Sequence, residues 1–198
     1  MPRVGILGGA FNPPHLGHLV CAQEARTQLE LDRVVLVPVG EAPHRVLEED
    51  PGPEARFALT ELAVEGDPDL TVSRIELDRP GPSYTSDTLA ALHEAAPDDE
   101  LTLILGGDQA AALPAWHEPE RVLELAQVAA VERVDWARDT IMRSLAGLAG
   151  AERLRFVDMP LIEISSSDLR RRAASGRPLR YLVPDRVAGL IAERGLYS

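Results

Sequence analysis

The sequence predicts an α/β protein built on a Rossmann-like, doubly wound parallel sheet, and two observations carry that expectation. Short β-rich runs alternate with helical patterns almost from end to end, as βαβ units require. The runs are also apolar on consecutive residues, as strands covered on both faces must be.

Strands are expected at 4–7, 34–37, 70–72, 101–105, 128–131 and 154–157. Each is a short run made mostly of Val, Ile, Leu, Ala and Phe, interrupted only by Gly5, Thr71, Thr102 and Arg155. Helices are expected at 16–30, 54–65, 85–96, 119–126 and 136–148, with a closing pair at 167–174 and 184–194. The first follows Pro13 and Pro14, which hold the chain extended, and the third opens on several capping residues from Ser83 to Thr88. The segment 40–53, rich in Pro, Glu and Asp, reads as a long surface loop, and loops of that length in a compact domain are often functional.

The chain has 198 residues, enough for one domain with a real core and too few for two ordinary ones. Hydrophobic residues at 45% and charged residues at 26% place it among folded rather than disordered chains. No apolar run reaches the roughly 20 residues of a membrane span, and the short N-terminal apolar stretch is broken at once by Asn12-Pro13-Pro14. No membrane role and a cytoplasmic location are the simple expectations. Cys21 is the only cysteine, so an internal disulfide or a cysteine zinc site is excluded. A net charge of −12 disfavours nucleic acid as a partner. All 20 basic residues are arginine; without a lysine, a P-loop of the G-x-x-x-x-G-K-[ST] type is impossible.

Ligands of doubly wound sheets bind beyond the C-terminal strand ends, which selects the loops to read. The first is Gly8-Gly9-Ala10-Phe11-Asn12-Pro13-Pro14-His15-Leu16-Gly17-His18. Gly8 and Gly9 let a ligand approach the backbone. His15 and His18, three apart, are expected to share one face of the first helical turn, at the helix end that favours phosphate. One histidine at a helix start is more often a cap or a surface residue; two, after Gly-Gly and Pro-Pro, are harder to explain as packing. Metal ligation by the pair lacks a third ligand at recognisable spacing, so no protein metal site is expected. The last loop, Ile164-Ser165-Ser166-Ser167-Asp168-Leu169-Arg170, combines helix-capping serines with an arginine fork suited to phosphate. By itself this is a capped helix with a basic face; Arg171 and Arg172 read as surface residues.

The first loop resembles the HxGH nucleotidyltransferase motif, with nine of its eleven positions fixed by the match. The chain is most similar to the bacterial nicotinate mononucleotide adenylyltransferases, and Ile164–Arg170 is similar to their second motif, I-S-S-[ST]-x-[ILV]-R. The resemblance covers essentially the whole chain and implies one nucleotidyltransferase domain over 1–198, with 165–198 a small C-terminal helical part. It implies ATP bound at Gly8, Gly9, Phe11, His15, His18, Gly106, Asp108, Ser166, Ser167 and Arg170. His15, His18 and Arg170 would be catalytic, with Mg²⁺ travelling with ATP.

For the second substrate, Pro82–Thr88 resembles a family stretch that receives the nicotinate carboxylate, chiefly through backbone near Tyr84 and Thr85; by itself it is a helix cap. Trp116 is either a partly buried anchor or a stacking face for a cationic ring, and the resemblance favours the latter. Ala42-Pro43-His44-Arg45 resembles the family's P-P-H-K, with Ala42 and Arg45 as departures. Arg133 stands where members have R-P-G, with Val134 and Asp135 departing. His44, Arg45 and Arg133 are therefore expected on the nicotinate nucleotide. The implied reaction is transfer of AMP from MgATP to nicotinate mononucleotide in NAD biosynthesis.

Another HxGH transferase, such as a phosphopantetheine adenylyltransferase or a cytidylyltransferase, is the nearest alternative. The former typically has threonine at the position of His15 and lacks the Tyr84-Thr85 and Trp116 segments. A non-catalytic nucleotide sensor is the alternative of a different class, and intact His15, His18 and Arg170 speak against it. Homo-oligomerisation stays open.

Overall fold

The computed structural model describes residues 1–43, 46–131 and 136–198. Its strands are β1 (Arg3–Gly9), β2 (Arg33–Pro38), β3 (Leu70–Val72), β4 (Glu100–Gly106), β5 (Gln127–Val131) and β6 (Arg155–Val157). They form one sheet in the order β3-β2-β1-β4-β5-β6. The ladders from β1 through β6 are parallel, with Leu7 opposite Ile104, Ile104 opposite Ala129 and Ala130 opposite Phe156. The strand order reverses between β1 and β4, the switch point at which such sheets receive ligands. The expected doubly wound, Rossmann-like sheet is present.

The helices are α1 (Leu16–Gln28), α2 (Pro53–Val64), α3 (Thr85–Ala95), α4 (Gly107–Ala112), α5 (Pro119–Leu125), α6 (Arg138–Ser144), α7 (Ser166–Ala174) and α8 (Asp185–Arg194). Their ends follow local chemistry. Pro53 opens α2 after Gly52 at φ 95°, combining a proline that needs no N–H with a permissive glycine. Asp185 opens α8, Arg194 closes it, and left-handed Gly195 ends it, matching the helix dipole and a glycine C-cap. Two expectations need correction. α6 is shorter than the expected 136–148, Trp136 preceding it and left-handed Gly147 following it. The stretch after β4, where no element is expected between 101–105 and 119–126, is helical in α4 and continues as a 3₁₀ turn at Leu113–Ala115. Among the described residues no helix is long and apolar enough to cross a membrane.

Packing divides the chain into two compact units. One comprises Met1–Gly8, Cys21–Val35 and Tyr84–Leu161. Val128, Ala129, Ala130 and Val131 are all buried along β5, so this strand is covered on both faces as expected. α3 packs on α5 and α4 on α6, and buried Leu89, Val122 and Ile141 anchor them.

The other unit comprises Gly9–Val20, Leu36–Ser83 and Ile162–Ser198. Its core joins Leu59 and Ala63 of α2 to Leu169 of α7 and to Val187 and Ile191 of α8, with Leu19, Ile164 and Tyr197 packed against it. Burying one such leucine stabilises by roughly 1.5–3 kcal/mol. That energy fixes α7 and the start of α1, because Leu169 precedes Arg170 and Leu19 follows His18.

The segment after β2 is pinned at its start. The Ser83 N–H donates to the Glu41 carbonyl at 2.8 Å, and a Cβ at Gly40 would lie 2.3 Å from the Glu76 carbonyl oxygen. Gly40→Ala is therefore expected to lower the unfolding free energy by about 1–3 kcal/mol, read as a lower urea midpoint at constant slope. An unmoved midpoint would show that this close approach has no energetic weight.

Candidate active site

The loop leaving β1 makes a chain of inward-facing carbonyls. The Gly9 carbonyl accepts from the Val39 N–H at 2.9 Å, and the Ala10 carbonyl accepts from Arg56 Nη1 at 3.1 Å. The Asn12 carbonyl accepts from Arg170 Nη1 at 3.0 Å, and the Pro13 carbonyl from Ser166 Oγ at 2.9 Å. Phe11 is buried at φ 48°. A Cβ added at Gly8 would meet nothing within 4 Å. Local packing therefore does not require glycine there, whereas a ligand approaching the strand end would benefit from it.

His15 and His18 come together, though not as two residues of one helical turn. α1 begins at Leu16, so His15 is the residue before the helix, and its carbonyl accepts from the His18 N–H at 2.9 Å. Pro14 holds the chain extended up to this point. The rings lie 3.8 Å apart, tilted by 33°, and the Phe11 ring meets His18 edge-on at 5.0 Å. The His15 backbone N–H donates to His18 Nδ1 at 3.2 Å. A nitrogen that accepts carries no proton, so this bond puts the proton of neutral His18 on Nε2. Gly17 makes the arrangement sterically feasible: a Cβ there would lie 3.0 Å from His15 Nδ1. The Leu16 N–H, which the helix leaves without an intrahelical acceptor, donates to the Leu182 carbonyl at 3.1 Å.

Different roles fall to the three serines at the start of α7. Ser165 is the cap, its hydroxyl accepting from the Asp168 N–H at 3.1 Å. Ser166 donates to Pro13, and Ser167 accepts from Arg170 Nη2 at 3.3 Å. Arg170 is buried, with Nε on Glu49 at 2.9 Å and Glu48 at 3.8 Å from Nη2. Those two glutamates are exposed residues of the acidic segment after β2, yet they are tied to the site: Asn12 Nδ2 also donates to the Glu48 carbonyl at 3.0 Å. Tyr197 near the C-terminus joins the same neighbourhood. Burial pushes its phenol far above the usual range, against the pull of Arg170 and Arg56.

The sequence reading missed Arg56, whose side chain is fully buried. A signal was available, since Arg56, Leu59, Thr60 and Ala63 occupy the buried stripe of α2 at helical spacing.

In the unit built on β4, Gly106 ends the strand and Asp108 lies exposed in the first turn of α4. Tyr84 precedes α3 and Thr85 begins it, where first-turn N–H groups have no intrahelical acceptor. The Tyr84 ring stacks on His117 at 4.3 Å, tilted by 33°. His117 is a second residue missed by sequence; its place beside Trp116 was the available signal. Trp116 is half-buried and ends the 3₁₀ turn. The Arg121 guanidinium beside Glu118 holds that exposed carboxyl below its usual range. His44, Arg45 and Arg133 lie outside the described residues. Among those described, no group of three or more His, Cys, Asp or Glu side chains is placed to hold a metal ion.

The model of the cytidylyltransferase-like family matches residues 6–172. The chain belongs to this family. A relative from Roseiflexus sp. (strain RS-1), named "Probable nicotinate-nucleotide adenylyltransferase", is 47% identical over 98% of this chain and 97% of its own. One of the same name from Thermomicrobium roseum is 40% identical over 100% of this chain and 92% of its own. Within the family, the chain therefore groups with the nicotinate-nucleotide adenylyltransferases, which are nucleotidyltransferases. A solved structure of Plasmodium falciparum nicotinic acid mononucleotide adenylyltransferase complexed with NaAD superposes with a TM-score of 0.80. It is 16% identical and covers 100% of this chain and 98% of its own, and it supports the fold.

Because Ser165 rather than Ser166 or Ser167 caps α7, Ser165→Ala is expected to cost about 1 kcal/mol of stability, seen as a lower thermal midpoint. An unchanged midpoint would show that this cap carries no energetic weight.

Proposed function

We propose that the chain transfers the adenylyl group of MgATP to nicotinate mononucleotide, releasing pyrophosphate and forming nicotinate adenine dinucleotide in NAD biosynthesis. The observation that carries this reading is the grouping of His15 and His18 at the start of α1 with the Ser167–Arg170 pair of α7. The acceptor is inferred from the names of the relatives.

In the reaction, a phosphate oxygen of the mononucleotide attacks the α-phosphorus in line. The bond from that phosphorus to the α,β-bridging oxygen breaks, and pyrophosphate leaves with the bond pair. The acceptor phosphate is already an anion, so no enzyme nucleophile is needed. The work left to the protein is positioning and charge stabilisation.

His18, with its proton directed to Nε2, donates to the α-phosphate as charge builds there. His15, Ser167 and Arg170 hold the β- and γ-phosphates, whose oxygens compete with Glu49 for the Arg170 fork, and Ser166, its hydroxyl given to Pro13, contributes its main-chain N–H. Gly8, Gly9 and Phe11 supply main chain at the end of β1, while Gly106 and Asp108 serve the adenosine half. Tyr84 and Thr85 receive the nicotinate carboxylate at the start of α3, and Trp116 offers an aromatic face to the pyridinium. His44, Arg45 and Arg133 complete the acceptor contacts in this reading. Mg²⁺ arrives with the triphosphate, which supplies part of its shell.

Incubation with MgATP and nicotinate mononucleotide, nicotinamide mononucleotide or phosphopantetheine, followed by pyrophosphate release, tests the acceptor. Fastest turnover is expected with nicotinate mononucleotide; turnover with phosphopantetheine alone would overturn the assignment, and none with any acceptor would favour a sensor. His18→Ala is expected to lower kcat by about 10²–10³-fold with an unchanged circular dichroism spectrum. Near-normal turnover would refute the role given to His18.

A further inference from the structure

We infer that Arg56 is a positioning residue for phosphate binding, acting by turning the Ala10 carbonyl away from the ligand side of the loop after β1. This rests on the function proposed above. Its guanidinium is fully buried, a costly place for a charge unless it is paired and bonded. Nε donates to Asp50 Oδ1 at 2.9 Å, Nη1 to the Val39 carbonyl at 2.7 Å and the Ala10 carbonyl at 3.1 Å, and Nη2 to the Gly40 carbonyl at 3.3 Å. Asp50 Oδ1 also accepts from the Gly52 N–H at 3.0 Å, just before α2. One rigid fork thus joins the chain leaving β1, the chain leaving β2 and the start of α2.

The consequence for binding comes from peptide geometry. A planar trans peptide points its C=O and N–H in opposite directions. With the Ala10 carbonyl on Arg56, the Phe11 N–H is directed away from Arg56. With the Gly9 carbonyl on the Val39 N–H, the Ala10 N–H is likewise directed away from that strand. Released from Arg56, the Ala10–Phe11 peptide would be able to rotate and present a carbonyl dipole, which repels phosphate. Lysine at this position would keep the charge but lose the planar fork and the Nε bond to Asp50.

The test measures binding of the magnesium complex of α,β-methylene-ATP and of inorganic tripolyphosphate by calorimetry, with steady-state kinetics alongside. Arg56→Lys is expected to weaken both ligands by about tenfold and to raise the ATP KM equally. A merely structural role would lower the active fraction, and thus apparent kcat, without moving the ATP KM. Folded Arg56→Lys with wild-type affinity for both ligands overturns the inference. Should that variant not fold, Asp50→Asn, which loosens the fork from its half-buried partner, is expected to weaken both ligands about threefold; unchanged affinity there overturns it equally. A wild-type chain that binds neither ligand would instead overturn the proposed function itself.

Discussion

The loop that leaves β1 is held by hydrogen bonds to its own carbonyls. Four of its carbonyls, those of Gly9, Ala10, Asn12 and Pro13, are each bound to a donor from elsewhere in the same unit. The donors come from a strand end, from α2 and, twice, from α7. Leucines of the shared apolar core hold those helices in place. Apolar packing thus becomes electrostatics: burial of Leu59 and Leu169 fixes where Arg56 and Arg170 stand, and the arginines fix which way the peptides point.

Arginine suits this task for reasons of shape. Its five N–H donors lie in one plane, so a single side chain can satisfy several carbonyls that a compact ammonium would have to serve in turn. The chain contains no lysine, and the two arginines buried among the described residues, Arg56 and Arg170, use the fork on three main-chain carbonyls and on one, respectively. Each also carries a carboxylate, Asp50 or Glu49, from the acidic segment after β2. In a protein of net charge −12, these buried cations are thus compensated by carboxylates within reach.

The sheet was legible because covered parallel strands have an unusual pattern, and 128–131 or 101–105 fit little else. The helices were legible from their periodicity and caps, except α4. Its six residues, from the second glycine of Gly106-Gly107 up to Leu113-Pro114, span fewer than two turns, too few for a period to register. The histidine pair and Arg170 stood out through chemistry, while their geometry did not. Two prolines ahead of His15 announce a helix without saying whether His15 lies inside it, and three serines announce a cap without saying which one it is. Arg56 was hidden for a different reason. An arginine on a helix is expected in solvent, and what buries this one is a set of carbonyls far away in sequence, which carry no residue identity to read.

Such contacts also give the run Ser165-Ser166-Ser167 an evolutionary signature. As letters the three are interchangeable, but the first and third accept hydrogen bonds while the second donates one. Each position therefore has its own alphabet of tolerated replacements. Asp or Asn can stand at 165, where any short acceptor serves the helix start. A carboxylate is barred at 166, where it would face the Pro13 carbonyl with nothing to donate. At 167 an acceptor is what the arginine requires. Divergence among related chains should be uneven across these adjacent positions, and that unevenness would record which hydroxyl must accept and which must donate.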